Sequence, residues 1–523
     1  MAQQKSEDCD RAQGERKLVV TQGCEGAGGA KAVPVKQWPK QLGLHFETAE
    51  AGAKASTDGV RVGPRSPTQT HAEPKSKGKD RKATAATMEE VSERLKQAFQ
   101  SVAANRGAPG PDRQSISEVR EHLGELLSKL SQALLEGTFE PGNIRRVWIP
   151  KAGAGSGKRG LGIPNVIDRM VQEAVRQVLE PLYEPTFHPS SHGFRPDRSC
   201  HTAIKQAREY LEDGYEWVVD LDLENFFNGV NHQRLMSRLA ERVEDKRLLV
   251  LIGKMLKAKV VMPDGVVVSN DEGVPQGGPL SPLLSNIVLD ELDRELEERG
   301  HRFVRYADDA NIYVRSERAG QRVMESITRF IERRLRLKVN AGKSAVARPE
   351  DRHFLGFSLR REPWEGNVEV GLSERTKERI EGKVRELTPR NRGGTLESCI
   401  ERLNVYLTGW MSFFGICTQQ VEKELRRLDA HIRRRLRAIQ LKQWKRRRTI
   451  ARKLMKHGIK FKTAWRSVYE GRKSIWAMSH MWAVDRALTN SLWEERGFKP
   501  LAQRYWTHSA RMVAPVQGEL ALG

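Results

Sequence analysis

The chain has 523 residues, long enough for two to four domains with real cores, and carries 90 Lys and Arg against 67 Asp and Glu for a formal net charge of +23. That surplus, with a pI near 9.9, points to a polyanionic partner, nucleic acid first and an anionic membrane surface second. No stretch approaches the roughly 20 apolar residues of a membrane span, and five scattered cysteines without a C-x-x-C pair argue against a disulfide framework or a zinc ribbon.

Residues 1–87 are rich in Ala, Gly, Lys, Thr and Gln and are expected to form a disordered basic arm. They show no apolar signal core, and their early acidic residues fit a transit peptide poorly. From Met88, "MEEVSERLKQAFQSV" sets Val91, Leu95, Ala98, Phe99 and Val102 at helical spacing. Helices then alternate with short strands to about residue 360, as in a mixed α/β or α+β domain. "FHPSSHGFRPDRSCH" gathers His188, His192, Cys200 and His201, but no second cluster at zinc spacing accompanies it and no metal is expected there. Beyond about 370 the pattern is helical and basic. "RRLDAHIRRRLRAIQLKQWKRRRTIARKLMK" holds one acidic residue, Asp429, and an apolar seam of Leu428, Ile432, Leu436 and Ile439. Such a run is either a solvated helix face or a phosphate-binding surface. Seven of the eleven tryptophans fall in the same region, most suited to core and a few beside Lys or Arg suited to stacking on bases. Nucleic-acid binding by this segment is the expectation.

Two acidic stretches carry the chemistry. In "EWVVDLDLENFFNGVNH", Trp217, Val219, Leu221 and Leu223 alternate with Val218, Asp220 and Asp222. At a period of two, both aspartates share the face opposite the apolar set. In "RYADDANIYVRS", Asp308 and Asp309 sit where a hairpin must fold. An acidic turn is the plain reading. Two carboxylates from a turn with one from a neighbouring strand end can instead hold two divalent metals about 3.5–4 Å apart for in-line phosphoryl transfer. Like charges this close repel, and a divalent cation is the natural compensation.

Y-A-D-D in a hairpin, the Asp-x5-Phe stretch upstream and "GVPQGGPLSPLLSNIVLDELD" between them resemble a reverse transcriptase palm. "NRGAPGPD", "RVWIPK" with "KRGLGIP", "IDRMVQEAV", "LEPLYEPTF", "SHGFRP", "LRLKVNAGKS" and "FLGF" fall in order and narrow the resemblance to the bacterial group II intron reverse transcriptases, or maturases. "LNVYLTGWMSFFGI", "LDAHIRRRLRAIQLKQWKRRRT" and "SIWAMSHMWAVDRALTN" are similar to that family's thumb, or maturase domain X, and its short DNA-binding region.

The resemblance implies an α+β right-hand polymerase. Fingers and palm would span 88–365, a helical thumb 366–455 and a small basic domain with its tail 456–523. Asp222, Asp308 and Asp309 would be the catalytic metal ligands, with the backbone carbonyl of Leu223 adding another; the family pattern, five residues before Phe227, selects Asp222 over Asp220. Two Mg²⁺ ions would serve, with Mn²⁺ as a substitute. Phe227 would lie beneath the incoming sugar and clash with a 2′-hydroxyl. Gln276 would lie against the nucleotide, in a turn where Gly277 and Gly278 allow close backbone approach to a ligand. Lys151 and Arg159 would grip the triphosphate; the G-x3-G-K spacing between them is not a phosphate loop. Arg195 would be a structural or template contact. Lys343 and the Phe354–Phe357 turn, with Leu355 and Gly356 at its tip, would position the primer end. Arg433, Arg434, Arg435, Lys442, Lys445 and Arg446 would bind RNA.

The expected partners are group II intron RNA, target DNA and dNTPs, with no membrane, and a homodimer is left open. The expected location is the bacterial cytoplasm. Departures from the family pattern are a longer fingers loop, Asn228 where Asp is more usual and His192 where Tyr is more usual; no His/Cys-rich nuclease module is recognised after the DNA-binding region. Two other readings share the same palm: a splicing-only maturase, and a reverse transcriptase recruited to host work such as phage defence, spacer acquisition or repair.

Overall fold

Thr87 opens the first helix, Met88–Ala104, by accepting from the Glu90 N–H at 3.3 Å, a side-chain cap that satisfies a donor the helix cannot. Val91, Leu95, Ala98, Phe99 and Val102 are buried along it, as their spacing predicts. The helix lies on Val166–Tyr183, whose apolar residues Val166, Met170, Val171, Ala174 and Val175 are fully buried. The computed structural model describes residues 86–150, 157–362, 366–390, 394–418, 420–470 and 474–513, without side chains for the last four. The expected disordered arm therefore lies outside the described residues, except that Ala86 is buried and Thr87 caps a helix.

Strands before the catalytic candidates are β1 (Ile144–Pro150), β2 (Lys158–Ile163), β3 (Trp217–Asp222), β4 (Val260–Val261) and β5 (Val267–Val268). After them come β6 (Arg302–Tyr306), β7 (Asp309–Val314), β8 (Ala345–Ala347), β9 (Phe357–Arg361) and β10 (Val368–Leu372). One four-stranded sheet runs β2-β1-β4-β5, another β6-β7-β3-β8, and β9 pairs with β10. In the second sheet all pairings are antiparallel.

The alternation in β3 is what positions the site. Val219 and Leu221 face a large core with Phe303 of β6 and Ile312 of β7. Val218, Val304 and Tyr313 face the other way, into a second core beneath the helix Cys200–Glu212. Burying each such side chain contributes roughly 1.5–3 kcal/mol, so a one-residue slip of register is strongly disfavoured. The second core also takes in β9, β10 and the C-terminal helices, among them Leu396–Phe414 and Val421–Gln443. Leu428, Ile432, Leu436 and Ile439 are buried in it, matching the seam read from sequence.

The second core runs across both expected borders, 365 and 455. β9 and β10 lie on either side of 365 yet form one hairpin in the second core. The helix Arg447–Lys456 runs across 455, and its Ile450, Ala451 and Leu454 share that core with Ala464, Val468 and Val484.

Candidate active site and nucleic-acid surface

Asp222 ends β3 directly opposite Asp309, the first residue of β7. Directly opposed residues of an antiparallel pair project to the same face, so both carboxylates stand on the side that also carries Asp220, two residues back. Tyr306 pairs with Asp309 across the β6–β7 hairpin, leaving Ala307 and Asp308 as its two-residue turn. Ala307 has φ of 58° and Asp308 does not share the positive value, the pattern of a type II′ turn, where glycine is usual. The structure thus brings Asp222, Asp308 and Asp309 together at one end of the sheet, with Asp308 alone at the hairpin tip.

Burial pushes the Asp308 carboxyl above its ordinary value, with Asp222 adding to the push and Arg159 and Lys343 opposing it. Asp309 is pushed well above the carboxylate range, by burial first and then by Asp220, Asp308 and Asp222. Asp220 is buried and also raised by burial, but Arg352 holds it through Nε at 2.8 Å and Nη2 at 2.5 Å. Asp222 meets the Lys343 Nζ at 2.9 Å. Of the two aspartates on β3, Asp220 is taken by an arginine and Asp222 stands beside the hairpin turn.

This donor set suits a hard divalent cation: oxygen ligands, crowded negative charge and desolvation that a cation would relieve. Among the described residues, no three His, Cys, Asp or Glu side chains already form a metal cage; the Lys343 ammonium takes up one oxygen of Asp222. Leu223 follows with its side chain buried. The Asp222 carbonyl accepts from Asn340 N–H at 2.8 Å and Glu224 N–H donates to Lys338 at 2.8 Å. Those bonds flank the Leu223–Val339 bridge, so the Leu223 carbonyl points to the opposite edge, where β7 begins.

Two supports of the turn escaped the sequence reading. Arg305 is buried and uses its whole guanidinium: Nε and Nη2 on Asp293 at 2.7 and 2.5 Å, Nη1 on Asn286 at 3.1 Å and on the Ala307 carbonyl at 3.0 Å, and Nη2 on Ser191 at 2.7 Å. A satisfied buried guanidinium of this kind fixes the turn carbonyl in place. The signal was available: Phe303 and Arg305 share the core face of β6, so a lone charge stands on an apolar stripe. Gly193 is the second support, because a Cβ there would lie 2.3 Å from the Ala307 nitrogen.

Of the residues expected to meet the nucleotide, Phe227 is half-buried in the short helix Phe226–Gly229, edge-on to the buried Phe226 at 5.2 Å. Its carbonyl accepts from Val274 N–H at 2.6 Å. The Gln276 carbonyl accepts from Gly162 of β2, also at 2.6 Å. The glycines beside it have close protein neighbours. A Cβ on Gly277 would lie 2.3 Å from the Gly162 oxygen, and one on Gly278 would lie 2.2 Å from the Gln172 side chain. Arg159 is exposed on β2, opposite Ile149 of β1, and close enough to act on Asp308. Lys151 lies outside the described residues.

Leu355 and Gly356 form the tip of a type I′ turn, with φ of 54° and 89° and reciprocal Phe354–Phe357 backbone bonds of 3.0 and 2.9 Å. Thr376 ties the Gly356 carbonyl at 2.7 Å to the start of the helix Glu374–Leu387. Lys343 is exposed and lies on Asp222 rather than apart from the carboxylates. Arg195 is an anchor and not a reaching template contact. Its side chain is 5% exposed, and it donates to Glu184 at 2.9 Å and to the His188 and Ser191 carbonyls at 2.7 and 2.9 Å.

The basic helix Val421–Gln443 also differs from a uniformly solvated face. Arg434 lies over the Trp476 ring at 4.1 Å. Arg435 bonds the Thr388 hydroxyl and donates to the Thr388 and Arg385 carbonyls at 2.8 and 3.2 Å, closing the C-terminal end of a neighbouring helix. Arg433 is half-buried on the same helix. Lys442, Lys445 and Arg446 are exposed, and Arg448 joins them. No helix among the described residues is long and apolar enough to cross a membrane.

Residues 149–359 match the family "Reverse transcriptase (RNA-dependent DNA polymerase)", and residues 377–457 match "Group II intron, maturase-specific domain". Protein YkfC of Escherichia coli is 34% identical over 307 residues, 51% of this chain and 80% of that protein. Group II intron-encoded protein LtrA of Lactococcus lactis subsp. cremoris is 30% identical over 329 residues, 50% of this chain and 54% of that protein. The putative COX1/OXI3 intron 2 protein of Saccharomyces cerevisiae is 31% identical over 297 residues, 46% of this chain and 34% of that protein. The chain thus spans about half the length of LtrA and a third of the yeast protein.

Proposed function

The chain belongs to the group II intron reverse transcriptases, and from that premise we propose that it binds its intron RNA, assists splicing, and copies the RNA into DNA by target-primed synthesis. The carrying observation is Asp222 opposite Asp309 with Asp308 in the adjoining turn. Asp222, Asp308, Asp309 and the Leu223 carbonyl would hold the metal ions, and Mg²⁺ when bound supplies Lewis-acid activation of a 3′-hydroxyl and a charge clamp on the departing pyrophosphate.

The remaining work falls to the chain's own residues. Arg159 draws the triphosphate toward the turn and offsets its charge. The Phe227 ring closes the space a 2′-hydroxyl would need. Lys343 vacates Asp222 for the reacting groups and stays beside them as a counter-charge. The turn at Leu355 and Gly356, held by Thr376, steadies the primer end. RNA binding needs no catalysis, only basic surface such as that around Lys442, Lys445 and Arg446.

The test is primer extension on an RNA template with dNTPs and Mg²⁺, with wild type beside Asp308→Ala. Wild type should synthesise DNA and Asp308→Ala should not, while intron RNA binding stays within a few-fold. Loss of both activities in the variant would reassign Asp308 to structure; no synthesis by wild type would leave splicing assistance as the function.

A further inference from the structure

The loop carrying Phe194 lies against the catalytic hairpin, and His192, Gly193 and Arg195 around it are held by the protein. The His192 ring contacts Thr202 Oγ1 at 2.8 Å and Gln206 Oε1 at 2.6 Å, and the His192 main-chain N–H donates to the Arg305 carbonyl at 2.8 Å. Gly193 touches the Ala307 backbone, and its carbonyl accepts from Asn286 Nδ2 at 2.9 Å. Arg195 is buried in bonds to Glu184, His188 and Ser191. Between these anchors Phe194 is 42% exposed and adopts φ of 58°.

An exposed phenylalanine alone is ordinary. A bulky side chain at positive φ is not, because glycine or asparagine would sit there without strain. The strain and the exposure together mean that this ring gains little from the fold it belongs to. Its centroid lies 6.4 Å from that of Tyr306, the residue just before the turn that carries Asp308. A primer end held at Asp308 would stand next to the turn that Tyr306 enters, and so near this pair of rings.

We propose that Phe194 is a nucleobase contact, its ring stacking on an unstacked template base or on the terminal base of the primer next to the catalytic turn. The inference rests on the polymerase reading above. Every base offers a π-face, so such a contact is indifferent to sequence, as copying requires. The strained backbone aims the ring outward from anchors on either side, and the phosphates are left to the basic residues.

Four full-length proteins test it: wild type, Phe194→Gly, Phe194→Leu and Phe194→Tyr. Glycine suits positive φ, so Phe194→Gly should melt no lower than wild type. Its KM for primer–template should rise roughly 5- to 100-fold, with the KM for dNTP unmoved. Phe194→Leu should share the defect and Phe194→Tyr should recover. 2-Aminopurine placed in the template or at the primer end should be quenched on binding wild type and not on binding Phe194→Gly; the responding label names the strand. Wild-type KM and quenching in Phe194→Gly, or equal recovery by Leu and Tyr, would overturn the proposal and reduce the ring to packing on Tyr306. Failure of the polymerase reading is distinct, since wild type would then make no DNA, while quenching needs no chemistry.

Discussion

Phe226 and Phe227 are neighbours with opposite duties. Phe226 is driven into the core, and Phe227 packs half-buried against the edge of that core. The main chain holds the second ring in place: Val274 N–H donates to the Phe227 carbonyl, and a Cβ on Gly273 would sit 2.7 Å from that same oxygen. Phe227→Ala should therefore remove the ring without moving the strand end. Its expected effect is a change in the dNTP/rNTP ratio of kcat/KM of at least about tenfold, equivalent to about 1.4 kcal/mol of lost discrimination. Single-nucleotide extension with each substrate measures it, and an unchanged ratio would leave Phe227 as packing. The aspartates were legible by alternation and spacing. Arg305 and Arg352 were not picked out, because their partners Asp293 and Asp220 come from other elements.

At the scale of the element, the basic helix Val421–Gln443 divides its arginines between two tasks. Its buried seam was readable from period alone. The inward use of Arg434 and Arg435 was not, because Trp476 and Thr388 are brought to them by separate helices. Neutralising the whole Arg433–Arg435 run would thus mix RNA affinity with folding. Arg435→Gln should cost about 1–3 kcal/mol of stability, since it removes the guanidinium bonds to the carbonyl and hydroxyl of buried Thr388. Replacing exposed Lys445, Arg446 and Arg448 together with Gln should leave the melting temperature unchanged. That triple change should flatten the salt dependence of RNA binding by up to about 0.7 to 0.9 per lost phosphate contact. Anisotropy titrations across salt concentrations decide it; an unaltered slope would mean that this face does not touch RNA.

Across the whole molecule, the catalytic sheet is shared between two cores. One face belongs with the N-terminal helices, and the other, through Val218, Val304 and Tyr313, belongs with β9, β10 and the C-terminal helices. A fragment ending at residue 353 should therefore expose the apolar side of Cys200–Glu212 and part of that face. Aggregation or strong binding of an apolar dye, against a clean monodisperse full-length chain, is the expected result; a well-behaved fragment would show that the palm is a self-sufficient domain. The reverse transcriptase identity was legible in the sequence, because Y-A-D-D, the Asp-x5-Phe stretch and the ordered motifs around them resemble that family's. Asp222, Asp308 and Asp309, Phe227 and the glycine-rich turn could be picked out before any fold was drawn. Only the tertiary structure decided that Asp222 and Asp309 are cross-strand partners, that Arg352 takes Asp220, and that Gly277 lies against Gly162 of β2. These depend on strand register and on contacts between distant segments, which no local pattern of residues encodes.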